Sequence, residues 1–313
     1  LNETLIKDLD LRLGEFFSDK IEEFIASLSL KKEKIEAIGS HGQTIKHEPN
    51  SIPPFSLQIG NPQLISNKLG IKTIANFRDD DIAKGGQGAP LSPIFHKEVF
   101  AKENKKRVII NIGGITNISS LGGAKLIGFD TGPGNCLLDI WTKKNKKGNY
   151  DNEGNWAKAG TVDQDLLDIM MKDHYFSLEP PKSTGPDYFN LSWLQDCLMK
   201  LKREIDPRDT QATLVELTAS SLSNSLKRLK IVNENIYICG GGVHNKFLMR
   251  RISSLLGEKC YTTDKLGLDP DYIEAICFAW LAYKRVNNIK FNMSAITGSN
   301  EKVFLGKVYL PTK

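Results

Sequence analysis

Two stretches of this chain end a β-branched run in paired glycines and set an asparagine three residues beyond the pair. RVIINIGGITNIS (107–119) gives Gly113-Gly114-x-x-Asn117, and IYICGGGVHN (236–245) gives Gly241-Gly242-x-x-Asn245. A turn without side chains lets backbone N–H groups come close to a phosphate, and a helix N-terminus beyond it adds positive potential. One such loop would be explained by a hairpin that needs glycine at positive φ. Two, at the ends of matching strands, favour a nucleotide held between two halves.

Two carboxylates stand out. Asp130 ends a strand behind Leu126, Ile127 and Phe129 and faces a Gly-Pro-Gly turn. Such a carboxylate is partly desolvated and rigidly aimed, as a general base should be, yet aspartate is also common where a helix is capped. Position alone leaves both roles open. Glu274 is the lone acid of YIEAICFAWLA (272–282), apolar nearly all round. A buried acid needs a partner, whereas a first-turn glutamate is favoured by the helix dipole, and the residues by themselves favour the second. PKSTG (181–185) lacks the upstream glycine and the strand of a Walker A loop; it is read as a turn or a wall of a substrate site.

Residues 2–29 carry Leu5, Leu9, Leu13, Phe16, Phe17, Ile21, Phe24 and Leu28 at helical spacing. A short strand is expected within 35–47, a helix over 60–70 with Pro62 in its first turn and Gly70 beyond its end, a strand at 71–77, and a polar loop at 78–90 too rich in glycine for a regular element. From residue 107 a three-stranded meander follows, over 107–112, 115–121 and 125–130, with a turn at 122–125. Helices are expected near 136–143, 209–229, 245–257 and 271–286, with a strand at 235–239. The chain thus divides into two α/β halves of related plan, 1–104 and 105–288. The first lacks the opening meander, and the mixed segment 289–313 is available to complete it.

The 313 residues carry a net charge of +5, 40% apolar and 25% charged residues, an ordinary globular composition. The Lys-rich stretches 102–107 and 142–149 lack the interleaved aromatics of a nucleic-acid surface. The longest uncharged apolar run, AICFAWLAY (275–283), is far short of the ~20 residues a membrane span needs. Five scattered cysteines without a Cys-x-x-Cys pair suggest reduced thiols and a cytoplasmic location. The five histidines show no zinc-ligand spacing, so no metal-binding residues are assigned. The chain opens on Leu1 rather than Met, which suggests a start inside a longer gene product.

Several strings together resemble the anhydro-N-acetylmuramic acid kinase family: GSHGQTIKHEP (39–49), QIGNP (58–62), FRDDDIAKGGQGAPLSPIFH (77–96), NIGGITN (111–117), GFDTGPGNCLLD (128–139), PKSTG (181–185) and CGGGVHN (239–245). The resemblance spans nearly the whole chain. It implies two RNase-H-like domains of the actin/hexokinase type around a nucleotide cleft. It further implies ATP and Mg²⁺, a cytoplasmic homodimer, and conversion of 1,6-anhydro-N-acetylmuramic acid to N-acetylmuramic acid 6-phosphate in peptidoglycan recycling. By this similarity Asp130 is the catalytic base. Arg78, Gly86, Gln87 and Glu274 contact the sugar, which reverses the residue-level preference for Glu274. Gly113, Gly114 and Asn117, with Gly240, Gly241, Gly242 and Asn245, hold the nucleotide. Two departures are visible. Pro186 follows Ser-Thr-Gly where the family has Arg, and the family's opening SGTSxDG phosphate loop does not occur. On that ground the chain as it stands is expected not to turn over, the alternative to a working kinase being a fragment or relative that binds sugar or nucleotide only.

Overall fold

The computed structural model describes residues 2–123, 125–231, 234–257 and 260–312. Ala124, inside the turn expected at 122–125, therefore lies outside the described residues. The chain forms two compact units, Leu1–Ala89 with Ala275–Lys313, and Pro90–Glu274.

The first unit opens with helix α1 (Glu3–Ser27), capped by Asn2, whose side chain accepts from the Thr4 N–H at 3.0 Å. Only part of the expected apolar stripe turns inward: Leu13, Phe17 and Ile21 are half-buried, and Phe17 and Ile21 pack against the core of Ile25, Ile65, Leu69 and Ile71. Leu5, Leu9, Phe16, Phe24 and Leu28 are exposed, while Gly14, Ser18 and Ile25 are buried. The reason is a close approach: a Cβ on Gly14 would lie 3.0 Å from the Asn61 backbone nitrogen, and Asp10 accepts from the Gly60 N–H and the Asn61 amide, each at 2.8 Å. The strand expected within 35–47 is broken in two, β1 (Ile38–Gly39) and β2 (Gln43–Glu48), by Gly42 at φ +71°; β2 pairs antiparallel with β3 (Phe55–Ile59). Helix α2 (Pro62–Leu69) begins and ends where its proline and glycine place it, with Gly70 left-handed. After β4 (Thr73–Ala75), the supposed loop at 78–90 contains a short helix, α3 (Asp79–Ala83). Three aspartates in its first turn suit the helix dipole, and Gly85 at φ +80° follows its end.

The second unit begins with α4 (Ser92–Phe100) and the meander β5 (Arg107–Ile112), β6 (Ile115–Leu121) and β7 (Ile127–Pro133). It continues through α5 (Asn135–Lys144), α6 (Asn155–Lys158), α7 (Gln164–Met171), α8 (His174–Ser177), α9 (Leu191–Leu201) and α10 (Pro207–Arg228), then β8 (Asn235–Cys239), α11 (Lys246–Leu256) and β9 (Cys260–Thr262). Its sheet runs β7-β6-β5-β8-β9; β5, β6 and β7 are antiparallel neighbours, while β8 and β9 continue parallel to β5. This is the strand order of an RNase-H-like α/β domain. Period-2 alternation sorts its two faces. Val108, Ile110, Ile112, Ile118, Phe129, Ile236 and Ile238 enter one core with Leu214, Leu217 and Leu222 of α10. On the other face α4 covers the middle of the sheet, with the His96 ring 2.8 Å from Ser119 Oγ and Pro93 packed where Gly128 has no side chain. Because α4 packs on β6, residues 90–104 belong with this unit.

The chain then returns to the first unit. Helix α12 (Ile273–Val286) brings Phe278 against His41 (4.5 Å between ring centroids) and Phe77 (5.2 Å), so most of it lies outside the second unit. Strands β10 (Phe291–Asn292) and β11 (Lys302–Val303) pair antiparallel, and β12 (Lys307–Tyr309) adds to β4, giving the order β1-β4-β12. Among the described residues no helix is long and apolar enough to cross a membrane.

Candidate active site

The register of the second unit's sheet sets four polar residues side by side. Asp130 of β7 lies opposite Asn117 of β6, Asn117 opposite Asn111 of β5, and Asn111 opposite Cys239 of β8. Neighbouring strands are about 4.8 Å apart, so the row spans the sheet at the carboxyl ends of the parallel strands β5 and β8, where α/β sheets place their ligands. Ser92 at the start of α4 donates to Asn117 Oδ1 at 3.3 Å, and both asparagines are half-buried.

Both glycine loops end at this row, and their glycines differ in kind. A Cβ on Gly113 would meet nothing nearer than 3.6 Å, on Gly114 nothing nearer than 3.8 Å, and on Gly241 nothing nearer than 4.0 Å; none of the three has positive φ. The fold alone does not require glycine there. Gly240, at φ +81°, would place a Cβ 2.5 Å from Asn111 Oδ1, and Gly242 would drive one into the Ile112 side chain. Those two are demanded by the packing of β8 on β5. The loops also differ in route. Gly113 and Gly114 close the β5–β6 hairpin, the Gly113 N–H donating to Ile115 O at 3.2 Å. Gly241 instead opens a 3₁₀ turn into α11, whose N-cap is Asn245, its Oδ1 accepting from the Leu248 N–H at 2.9 Å. Asn117 and Asn245 therefore do different work despite equal spacing.

The hairpin also caps a helix. The Gly114 carbonyl accepts from the N–H groups of Gly134 (2.9 Å) and Cys136 (3.1 Å), and the Gly113 carbonyl accepts from Asn135 at 2.8 Å. The first turn of α5 is thereby satisfied by the hairpin.

Asp130 is only 4% exposed, and its surroundings are largely the PKSTG segment. Its Oδ2 accepts from the Thr184 N–H at 3.0 Å, its N–H donates to Lys182 O at 3.3 Å, and its carbonyl accepts from the Tyr175 hydroxyl at 2.6 Å. The segment is thus the wall beside the acid. Pro186, exposed, borders the hairpin, its Cγ 3.9 Å from a Cβ on Gly114. Glu274 is exposed in the first turn of α12, so the premise of a buried acid does not hold, although its charge reaches the Cys239 thiol, which burial pushes well up.

In the first unit, Arg78, Gly86 and Gln87 gather around Asp81, which is fully buried. Asp81 accepts from the Gly88 N–H (2.7 Å) and the Thr297 hydroxyl (2.8 Å), and a Cβ on Gly86 would collide with its carboxylate. Burial pushes Asp81 up from the usual carboxylate range, against the pull of those two bonds and of Arg78. The Gln87 N–H donates to Thr297 O at 2.9 Å. Arg78 donates to Gly88 O at 2.6 Å and lies 2.8 Å from His41 Nε2. Burial, then the Arg78 charge, hold His41 down to about 3, so the ring is neutral; with Nδ1 against Gly42 O at 2.8 Å, Nε2 is the acceptor for Arg78. Asn111, Lys182 and Asp81 were not singled out by spacing. A polar residue in mid-strand was the available signal for Asn111; nothing marks the other two before the fold is known.

The chain matches the family described as anhydro-N-acetylmuramic acid kinase over residues 3–311. Among its relatives, the anhydro-N-acetylmuramic acid kinase of Pasteurella multocida is 47% identical over 305 residues, covering 96% of this chain and 81% of that protein. Those of Saccharophagus degradans (44% identical; 97% of this chain, 83% of that protein) and Coxiella burnetii (43%; 96% and 82%) are similar in extent. The protein belongs to the anhydro-N-acetylmuramic acid kinase family of enzymes.

Proposed function

We propose that this kinase converts 1,6-anhydro-N-acetylmuramic acid, ATP and water to N-acetylmuramic acid 6-phosphate and ADP. The observation that carries this is the set Gly113, Gly114 and Gly241: glycines without an internal reason, at adjacent strand ends, beside a buried aspartate. Asp130, aimed by the Thr184 N–H, takes one proton from the water that attacks the anomeric carbon. The bond from that carbon to O6 breaks, and the released O6 attacks the γ-phosphorus as ADP leaves; the second water proton stays on the new anomeric hydroxyl. Mg²⁺ supplies neutralisation of phosphate charge. Among the described residues no cluster of three or more acidic, His or Cys side chains is set to hold such an ion. Gly240, Gly242 and Asn245 shape the nucleotide side from behind, and Asn117 stands between that side and Asp130. Arg78, Gly86, Gln87 and Glu274 are assigned to the sugar, on the strength of the family's motifs, which also support a cytoplasmic homodimer acting in peptidoglycan recycling.

The test is ADP release coupled to the anhydro-sugar, run on this chain and on the same chain with the family's opening phosphate loop supplied ahead of it; turnover comparisons of variants use whichever of the two is active. Release that depends on the sugar and yields a 6-phosphate supports the assignment. Binding of ATP and sugar with no ADP released would favour the non-catalytic alternative.

A further inference from the structure

Gly113 and Gly241, which the fold does not require, have the same kind of neighbour. The side-chain atom nearest a Cβ placed on Gly113 is Asn111 Nδ2, at 3.9 Å, and the one nearest a Cβ placed on Gly241 is Asn135 Nδ2, at 4.0 Å. Asparagine is depleted from strands, yet Asn111 stands in β5 beside Ile109, Ile110 and Ile112, all fully buried. Its carbonyl oxygen is anchored on the β8 side: the Cys239 thiol donates to it at 3.8 Å, and it lies under Gly240, where a Cβ would come within 2.5 Å. The amino end is left facing Gly113, and it donates to no protein acceptor among the described residues. Asn135 opens α5. Its backbone N–H, with those of Gly134 and Cys136, is taken by the hairpin carbonyls, so what it has left to offer is its side chain. Nδ2 reaches Ile112 O at 3.4 Å, a long bond that uses one of its two hydrogens. Both asparagines are half-buried.

We propose that Asn111 and Asn135 bind the phosphate chain of the nucleotide, as a pair of uncharged donors, one beside each glycine loop. The proposal rests on the reading of those loops as the nucleotide site. A phosphate laid against the uncovered side of Gly113 or Gly241 comes within reach of a carboxamide nitrogen at each. Hydrogen bonds to an ionised acceptor are the stronger kind, and a short carboxamide held by its own partner gives them with less side-chain freedom to lose than a lysine has. Asn111 is held through Oδ1 on Cys239, and Asn135 through Nδ2 on Ile112 O, so each nitrogen is aimed before any ligand arrives. What the two read is the anion and not the base of the nucleotide.

The experiment is calorimetric titration with ATP at low and high salt, beside thermal melts, on the chain and its variants; none of it depends on turnover. Asn135→Ala removes the donor and should weaken ATP binding about tenfold or more. Asn135→Asp keeps the shape but turns a carboxylate towards the phosphate, so the loss should reach about a hundredfold, and the gap between the two variants should narrow at about 1 M salt. An acid in the first turn of α5 suits the helix dipole, so the melting midpoint should stay near that of the parent. Asn111→Ala and Asn111→Asp should follow the same order. ATP affinity within twofold of the parent in both Asp variants would overturn the proposal. So would equal losses in the Ala and Asp variants at both salt levels with lowered midpoints, which would make the asparagines struts of the loops. If an Asp variant does not fold, the Ala variant at that position decides by the same twofold limit. Gly241→Ala, run alongside, separates the two levels. Unchanged ATP affinity there removes the nucleotide reading of the loops and this proposal with it, whereas loss there with affinity kept in the asparagine variants removes only the role of Asn111 and Asn135.

Discussion

Gly114→Ala and Gly241→Ala separate a glycine kept for a ligand from one kept for the fold. Both positions are exposed, neither has positive φ, and an added Cβ would meet nothing within 3.8 Å at Gly114 or 4.0 Å at Gly241. Folding should be unharmed, and the lower entropy of the unfolded chain should add about 0.4–1 kcal/mol of stability. If the loops lie against phosphate, the new methyl displaces at least one charge-assisted bond, worth about 1.5–3 kcal/mol. At about 1.4 kcal/mol per decade that is a loss of roughly 10- to 150-fold in ATP affinity. Gly242→Ala is the converse control, because its Cβ collides with Ile112 in the packed sheet; it should cost about 1–3 kcal/mol of stability. Calorimetric titration with ATP and thermal melts of the three variants give both quantities. An ATP Kd within twofold of the parent in stable Gly114→Ala and Gly241→Ala proteins would refute the reasoning, leaving these loops as plain turns.

Asp130→Asn keeps an oxygen for the Thr184 N–H but cannot take a proton, so turnover should fall by about 10²–10⁴ with ATP and sugar binding retained; unimpaired turnover removes it from the chemistry. Asp81→Asn disturbs the bond to Thr297 beneath the Gly86–Gln87 loop, and is expected to raise KM for the sugar about tenfold with KM for ATP unchanged. Equal changes in both constants would make Asp81 a general structural residue. Acidification supplies a stability test. His41 and His96 are held down to about 3 and His47 to about 4, chiefly by burial. Between about pH 6.5 and pH 4 the unfolded chain therefore binds protons that these rings refuse, and their contribution to stability, complete above that window, is lost as pH falls through it. Asp81, Asp139 and Glu234, pushed upward chiefly by burial, work in the opposite sense, but of these only Asp139 moves far, to about 6, against three rings held down to about 3 or 4. Thermal midpoints should drop on going from about pH 7 to pH 4.5, and a rise would contradict the assignment.

Elements with strong local signals were legible. The meander, the helix after Gly134, the long helix ending near Arg228 and the glycine at the end of α2 all lie within a few residues of where period and caps place them. The misses share a cause. Leu5, Leu9 and Phe16 make a regular stripe, but α1 is oriented by Gly14 and Asp10 meeting Gly60 and Asn61, a tertiary contact that periodicity cannot show. The helix α3 hides in a glycine-rich string because its signal, three aspartates, is also a loop composition. For the candidate site, glycine spacing singled out both loops yet could not tell Gly241, which nothing in the chain requires, from Gly240 and Gly242, which packing requires. Glu274 is the exposed first-turn glutamate that the residues by themselves favoured. The row from Asp130 to Cys239 exists only through strand register, which no single segment encodes.

The carbonyls of Gly113 and Gly114 have one more consequence. Since they hold the Gly134, Asn135 and Cys136 amides, the β5–β6 hairpin cannot swing away without unravelling the first turn of α5. Hairpin and helix end therefore share a single opening event, with one free energy between them. If a phosphate rests on the hairpin, as proposed, it should lower the population of that open form. Solvent exchange at three amides should slow with it, and the occupancy of the loop becomes readable in the protection of the helix start.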